Sequence, residues 1–185
     1  MALAHTILAV LSHSPFSGYD ISKQFEEVGV GCYWQASQQQ IYRELGKMEQ
    51  QGWVTFEKIP QEGKPDKKIY QMTEVGQQEL RRWFGEPTEP MPIREDLLVK
   101  VLAAPFMPRD LLVKELRHRR QLHTEKLLEY QAKEAEGKVC LPVPVDERFR
   151  YLLLRRGIRY EQDWVDWCDE VLDFLKQQES GPSQK

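Results

Sequence analysis

The sequence predicts a mostly α-helical chain with one small β-wing, an N-terminal compact part followed by a C-terminal pair of long antiparallel helices. Three observations carry this. Apolar residues recur at helical spacing through most of the chain, as at Ile41, Leu45 and Met48 in ASQQQIYRELGKMEQQGWV. Period-two alternation of β-formers occurs in only two neighbouring runs, WVTFEKI (53–59) and KKIYQMT (67–73), on either side of PQEGKPD. Three prolines fall within GEPTEPMP (85–92), where neither a helix nor a central strand can continue.

The N-terminal elements follow in order. A first helix over about residues 2–12 presents Leu3, Ile7, Val10 and Leu11. Residues 14–18 read as a turn. A second helix starts near Ser17 and runs through DISKQFEEV, with Ile21 and Phe25 inward. The third helix opens with an S-x-x-Q capping box, in which Ser37 caps and Gln40 reaches back, and Gly52 is placed to end it. Gly63 and Pro65 supply the turn between the strands. Thr73 restarts a helix, TEVGQQELRRWF, where Val75, Leu80, Trp83 and Phe84 supply apolar contacts. Three helices, a hairpin with a polar tip and a further helix make a winged helix-turn-helix. A small α+β domain with no nucleic-acid role shows the same pattern, so patterning alone leaves both open.

After the linker, REDLLVKVLA (94–103) forms a helix striped by Leu97, Leu98, Val101 and Leu102, ended by Pro105 and Pro108. A long helix runs from about Arg109 to Glu136 with Leu112, Leu116, His123, Leu127 and Tyr130 near heptad spacing. GKVCLPVP (137–144) breaks it. The last helix covers about residues 146–178, striped by Phe149, Leu153, Tyr160, Trp164, Trp167, Val171 and Leu175. Charge is sorted along both long helices. The first is basic early (Arg117, Arg119, Arg120) and acidic late (Glu129, Glu134, Glu136); the second repeats that order. Folded antiparallel, each basic half faces an acidic half. The last helix carries more apolar surface than a two-helix hairpin covers. Its remainder meets either the Leu97 helix or a second copy of the chain. The expected organisation is 1–84 winged helix-turn-helix, 85–92 linker, 93–179 helical dimerisation domain and 180–185 disordered tail.

Bulk properties bound the function. Net charge is −3 and pI about 5.9, so the chain as a whole is not a basic nucleic-acid binder. No run of about 18 apolar residues exists, which argues against a membrane span. The opening MALAHTILAVLSHSP lacks a basic start and a long uninterrupted core, so it reads as an amphipathic helix and not a signal peptide. Cys32, Cys140 and Cys168 are far apart with no CxxC spacing, as expected of a reduced, cytoplasmic protein. Cys32 reads as a buried small hydrophobe; a thiol sensor is the other reading. His5, His13, His118 and His123 show no metal-ligand spacing and read as surface or packing residues. There is no phosphate-binding glycine loop, no G-x-S-x-G and no clear carboxylate pair, so no enzymatic activity, metal or cofactor is expected.

The third helix is unusual in its first turn, where Gln38, Gln39 and Gln40 are consecutive. An amide offers a donor and an acceptor in one plane, matching the N6/N7 edge of adenine, as Arg matches O6/N7 of guanine. A recognition helix presents such groups to the major groove from its N-terminal end. Tyr42 and Arg43 extend that surface, and Lys47 is placed to reach a phosphate. Gln is also a good helix former, so a solvated helix face explains the same residues. Lys58, Lys64, Lys67 and Lys68 cluster around the hairpin tip against Glu62 and Asp66, as a wing on a phosphate backbone requires.

GYDISKQF at 18–25, QQIYREL at 39–45 and GKPDKKIYQMTEVG at 63–76 resemble the PadR family of bacterial transcriptional regulators. ASQQQIYREL and QEGKPDKKIY are most similar to the subgroup that includes a virulence gene activator, and WVDWCDEVL at 164–172 extends the resemblance into the C-terminal half. The resemblance implies a homodimer with a helical C-terminal dimerisation domain, binding double-stranded DNA at an inverted-repeat, palindromic operator. Carried onto this chain, Ser37, Gln38, Gln39, Gln40, Tyr42 and Arg43 face the groove. Lys64, Lys67 and Lys68 lie on the wing, and Tyr19 approaches the backbone. Asp66 departs from the more basic wing of many members, which favours backbone contact over insertion. Tyr160, Trp164, Trp167, Val171 and Leu175 are the candidate dimer contacts. A small aromatic effector is a further candidate partner, with Trp34, Trp83, Tyr160, Trp164 and Trp167 as its lining; ordinary packing accounts for the same rings. The other reading of the whole is a winged-helix module that binds protein and not DNA.

Overall fold

The computed structural model describes residues 2–26, 34–61, 63, 66–90, 92–136 and 145–180. The chain divides into two compact units, Met1–Pro90 and Met91–Lys185.

The first unit contains α1 (Ala2–Leu11), β1 (Phe16–Ser17), α2 (Gly18–Glu26), α3 (Gln38–Gln50), β2 (Val54–Ile59), β3 (Lys67–Met72) and α4 (Glu74–Phe84). The strands form an antiparallel sheet in the order β1-β3-β2, with Phe16 and Phe56 both opposite Tyr70. This is a winged helix. The short β1 falls where a turn was expected. Phe16 packs against the core, and that brings its backbone alongside the free edge of β3.

Ile7 and Leu8 of α1, Ile21 of α2, and Ile41, Leu45 and Met48 of α3 are fully enclosed, joined by Val54 and Tyr70 of the sheet. The helical spacing on α3 leaves its opposite face to solvent. Ser37 caps α3 by accepting from the Gln40 N–H at 3.3 Å, and the Gln40 side chain accepts from the Ser37 N–H at 2.8 Å. Gly52 ends the helix at φ +72°, a left-handed conformation glycine adopts without strain, and the Trp53 N–H returns to the Met48 carbonyl at 2.9 Å. Thr73 joins wing to helix: its hydroxyl accepts from the Gly76 N–H at 3.1 Å and donates to the Gly52 carbonyl at 2.6 Å. Two contacts expected on α4 are absent. Val75 and Phe84 are exposed, because α4 turns Leu80, Glu79 and Trp83 toward α1.

The second unit contains α5 (Asp96–Ala103), a 3-10 turn (Ala104–Phe106), α6 (Arg109–Glu136) and α7 (Val145–Ser180). The first of these starts at Asp96, two residues later than expected, because the Glu95 side chain caps it from the Leu97 N–H. The two long helices pair antiparallel. Arg120 binds Asp169 through two contacts of 2.6 and 2.9 Å, and Arg155 reaches Glu134 at 2.9 Å. Basic and acidic halves therefore do face each other.

The buried seam of α7 differs from the expected stripe. It consists of Leu154, Ile158, Glu161, Val165, Cys168 and Leu172, spaced four and three residues apart in turn. Phe149, Leu153 and Tyr160 are exposed. The bulky aromatics drew the expected stripe onto the flank of the helix, one position off the seam. The last helix also reaches Ser180, the first residue of the expected disordered tail. Residues 137–144 and 181–185 lie outside the described residues, as do Cys32 and Cys140.

Candidate nucleic-acid interface

The exposed face of α3 displays Gln38, Gln39, Tyr42, Arg43 and Lys47, while Ile41, Leu45 and Met48 anchor the opposite face. The three glutamines are not equivalent. Gln40 and Ser37 are occupied by each other in the cap. Gln38 and Gln39 make no side-chain hydrogen bond among the described residues, and Arg43 has no acidic partner there. Lys47 pairs along its own helix with Glu44 at 2.9 Å.

Tyr42 is held by α2. A Cβ placed on Gly18 would lie 2.4 Å from the Tyr42 ring, so only a glycine lets the ring lie this close to the start of α2. Tyr19, one residue on, is exposed, with the Lys23 ammonium 5.0 Å from its ring centroid. Between the start of α2, the middle of α3 and the base of the wing lies an open cleft of about 820 Å³. Tyr19, Tyr42 and Tyr70 contribute rings to it, and Lys67 and Lys68 contribute charge.

Lys67 and Lys68 of the wing have acidic neighbours. The Lys67 ammonium stands 3.1 Å from Asp20 of α2, and the Lys68 ammonium 3.9 Å from Glu49 of α3 and 3.8 Å from the Phe56 ring centroid. Hydrogen bonding from Ser17, and then the pairing with Lys67, hold the Asp20 carboxyl below its usual range, so it is charged at neutral pH. Burial, reinforced by Glu49, pushes the Tyr70 phenol up. Lys64 lies outside the described residues together with Glu62 and Pro65; Gly63 between them has φ +69°.

Sequence reading missed Gly18, Asp20 and Glu49. The Ser17-x-x-Asp20 spacing of a helix cap was visible, and the Ser17 hydroxyl does bind Asp20 at 2.6 Å. Nothing local marked Asp20 or Glu49 as a partner of the wing.

The other candidates fall into packing roles. His5 is buried, stacked on Trp83 with centroids 4.7 Å apart and bonded to Glu79 at 2.9 Å. His123 stacks on Trp164 at 5.1 Å and bonds Glu161 at 2.5 Å. Trp164, Trp167, Val171 and Leu175, the candidate dimer contacts, are partly buried and pack within the protomer against the cluster of Leu97, Leu112 and Leu116. Cys168 is enclosed, and burial pushes its thiol up. Among the described residues no group of His, Cys, Asp and Glu is arranged to hold a metal ion. No helix there is long and apolar enough to cross a membrane.

Residues 7–82 match the transcriptional regulator PadR-like family, and residues 93–176 match the virulence activator alpha C-terminal family. The probable transcriptional regulator Rv1176c of Mycobacterium tuberculosis is 35% identical over 189 residues, covering 96% of this chain and 99% of that protein. The chain belongs to the PadR-like family of transcriptional regulators. Among solved structures, the virulence activator AphA of Vibrio cholerae is similar with a TM-score of 0.80 and 33% identity, over 95% of this chain and 99% of AphA. Bacillus subtilis PadR in complex with operator DNA is similar with a TM-score of 0.84 and 28% identity, over 94% and 98%. The same PadR has been solved with p-coumaric acid, at a TM-score of 0.74 and 25% identity, over 94% and 95%. The PadR-like match falls within the first unit, the reader, and the virulence activator alpha C-terminal match within the second.

Proposed function

We propose that this PadR-type regulator works in the cytoplasm as a homodimer that occupies an inverted-repeat operator, presenting α3 of each protomer to a major groove. The observation that carries this is the division within one helical turn. Ser37 and Gln40 are spent on fixing the end of α3, which leaves Gln38 and Gln39 without a side-chain hydrogen bond among the described residues, beside Tyr42 and Arg43. In this reading Gln38, Gln39 and Arg43 read base edges, while Tyr19, Tyr42, Lys47, Lys64, Lys67 and Lys68 meet the backbone. Two such helices about one turn of duplex apart read a palindrome.

The test is selection of bound fragments from the host genome, followed by titration of the recovered duplex. Arg43→Ala is expected to lose about 1–3 kcal/mol and to relax base preference; Lys64→Ala is expected to weaken all sequences alike and make the salt slope shallower. Equal effects of both substitutions on every duplex would remove the division of labour.

The dimer contact is proposed on apolar side chains that the protomer leaves exposed, including Val99, Leu102 and Phe106 after the linker and Phe149, Leu152 and Tyr160 on α7. A small planar effector is a second element of the proposal, supported by the p-coumaric acid complex of Bacillus subtilis PadR. Calorimetric titration with p-coumaric acid tests it, and absence of heat together with unchanged operator affinity would refute it for that compound.

A further inference from the structure

Among the described residues, three of the lysines assigned to the phosphate backbone are each paired with an acid from the helix-turn-helix itself. Lys67 lies 3.1 Å from Asp20, Lys68 lies 3.9 Å from Glu49, and Lys47 lies 2.9 Å from Glu44. Asp20 is not free to swing away, because it accepts from the Ser17 hydroxyl at 2.6 Å and from the Ser17 backbone N–H at 3.4 Å. Glu49 is carried on α3, whose Ile41, Leu45 and Met48 are fully enclosed. Glu49 borders the same cleft as the rings of Tyr19 and Tyr42, and Asp20 is paired with Lys67, which also lines it.

From this geometry we propose that Asp20 and Glu49 act as a charge brake on DNA binding: they hold Lys67 and Lys68, and each lysine must leave its acid before it can neutralise a phosphate. The exchange is the same whatever the base sequence, so the brake lowers affinity for every duplex by one factor and leaves base preference untouched. It also removes cations from the count that sets the salt dependence, since only lysines that neutralise phosphates release counterions. A chain of net charge −3 then relies on α3 for holding its site, and spends less time on DNA of unrelated sequence.

This rests on the DNA-facing assignment above. The experiment compares Asp20→Asn, Glu49→Gln and Lys67→Met with the wild-type chain, on a duplex recovered by selection and on a scrambled version of it, across a salt series. Asn at position 20 retains an oxygen for the Ser17 hydroxyl while removing the charge. Asp20→Asn and Glu49→Gln are each expected to tighten binding to both duplexes by about two- to fivefold, as release of one exposed ion pair allows. Each is expected to steepen the log–log salt slope by about 0.9. The gain from Asp20→Asn is expected to vanish in a Lys67→Met background.

Unchanged or weaker binding by both carboxylate variants, with thermal stability unchanged, would overturn the brake. So would an Asp20→Asn gain that survives in the Lys67→Met background, because the acid would then act by repelling DNA directly. If Asp20→Asn unfolds the chain, Glu49→Gln decides alone, its side chain being half exposed on α3. A wild-type chain that does not distinguish the selected from the scrambled duplex would overturn the interface and the brake together. Wild-type selectivity with flat variants would overturn the brake alone.

Discussion

Gly76→Ala is expected to be among the most damaging small changes in the reader unit, and its effect can be worked out from four atoms. Gly76 sits buried in the first turn of α4, where a Cβ would lie 2.2 Å from the Trp53 carbonyl oxygen and 3.0 Å from Met72 Cγ. That falls about 1.2 Å short of the 3.4 Å at which ordinary contact begins. The obstacle is backbone, so no side-chain rotation relieves it. The Trp53 carbonyl already accepts from the Thr73 N–H at 3.0 Å. Moving it by 1 Å or so breaks that bond.

Overpacking costs about 1–3 kcal/mol, and the weakened hydrogen bond about 1 kcal/mol. Alanine returns about 1 kcal/mol through helix propensity. The net loss is about 1–3 kcal/mol, which for a unit of this size lowers the melting temperature by about 5–20 °C. Circular dichroism melts of the full chain read the shift, and amide exchange at Thr73 and Gln77, whose N–H groups are bonded at 3.0 and 2.9 Å, reads where it arises. A reader-unit transition within about 3 °C of wild type would refute the steric argument.

Gly18→Ala is the counterpart. Its Cβ meets the Tyr42 ring at 2.4 Å, but that ring is the exposed end of a side chain and can swing aside. Melting is expected to be unchanged while DNA affinity falls about tenfold, or ~1.4 kcal/mol, for all sequences; unchanged affinity would remove Tyr42 from the interface. Gln40→Ala is expected to lose about 1 kcal/mol of stability through the cap with the selected sequence unchanged, whereas Gln39→Ala is expected to change the selected sequence at constant stability. A reversed result would exchange their roles. For pH, Arg82 first and then His5 hold the Glu79 carboxyl at about 2 against an ordinary value of 4.5. The lowered value means that its contribution is complete above about 4.5 and fades as pH falls from there toward 2; Glu79→Gln is expected to flatten that part of the unfolding curve, and an identical acid limb in both proteins would refute it. Phe149→Asp with Leu152→Asp is expected to give monomers in sedimentation at unchanged helicity, and a persisting dimer would move the contact elsewhere on the chain.

The parts legible in the sequence are those decided within a turn or two of chain. The Ser37–Gln40 box, the left-handed Gly52 and the Thr73 cap are i-to-i+3 events or single-residue conformations, so residue type suffices to see them. The sorted charges of α6 and α7 were legible for a different reason. The pairs they form run as whole blocks, so a shift of a few residues leaves Arg120 near an acid in any case.

What escaped was phase and distance. On α7 apolar residues occur on more than one face, and the seam itself contains Glu161 and Cys168. Hydrophobicity alone therefore could not choose between the line through Tyr160 and Trp164 and the one through Ile158 and Val165. The choice is made by α6 and α5, whose Leu116 and Leu97 need partners of a particular height, and by His123, which gives buried Glu161 its bond. The same holds at the interface. Asp20 and Lys67 are 3.1 Å apart but separated by most of the reader unit in sequence, and only the sheet that joins β1 to β3 brings them together. A two-residue strand carries almost no signal of its own, yet it fixes which acid faces which lysine. How tightly this regulator holds DNA of any sequence therefore depends on a contact that no local pattern announces.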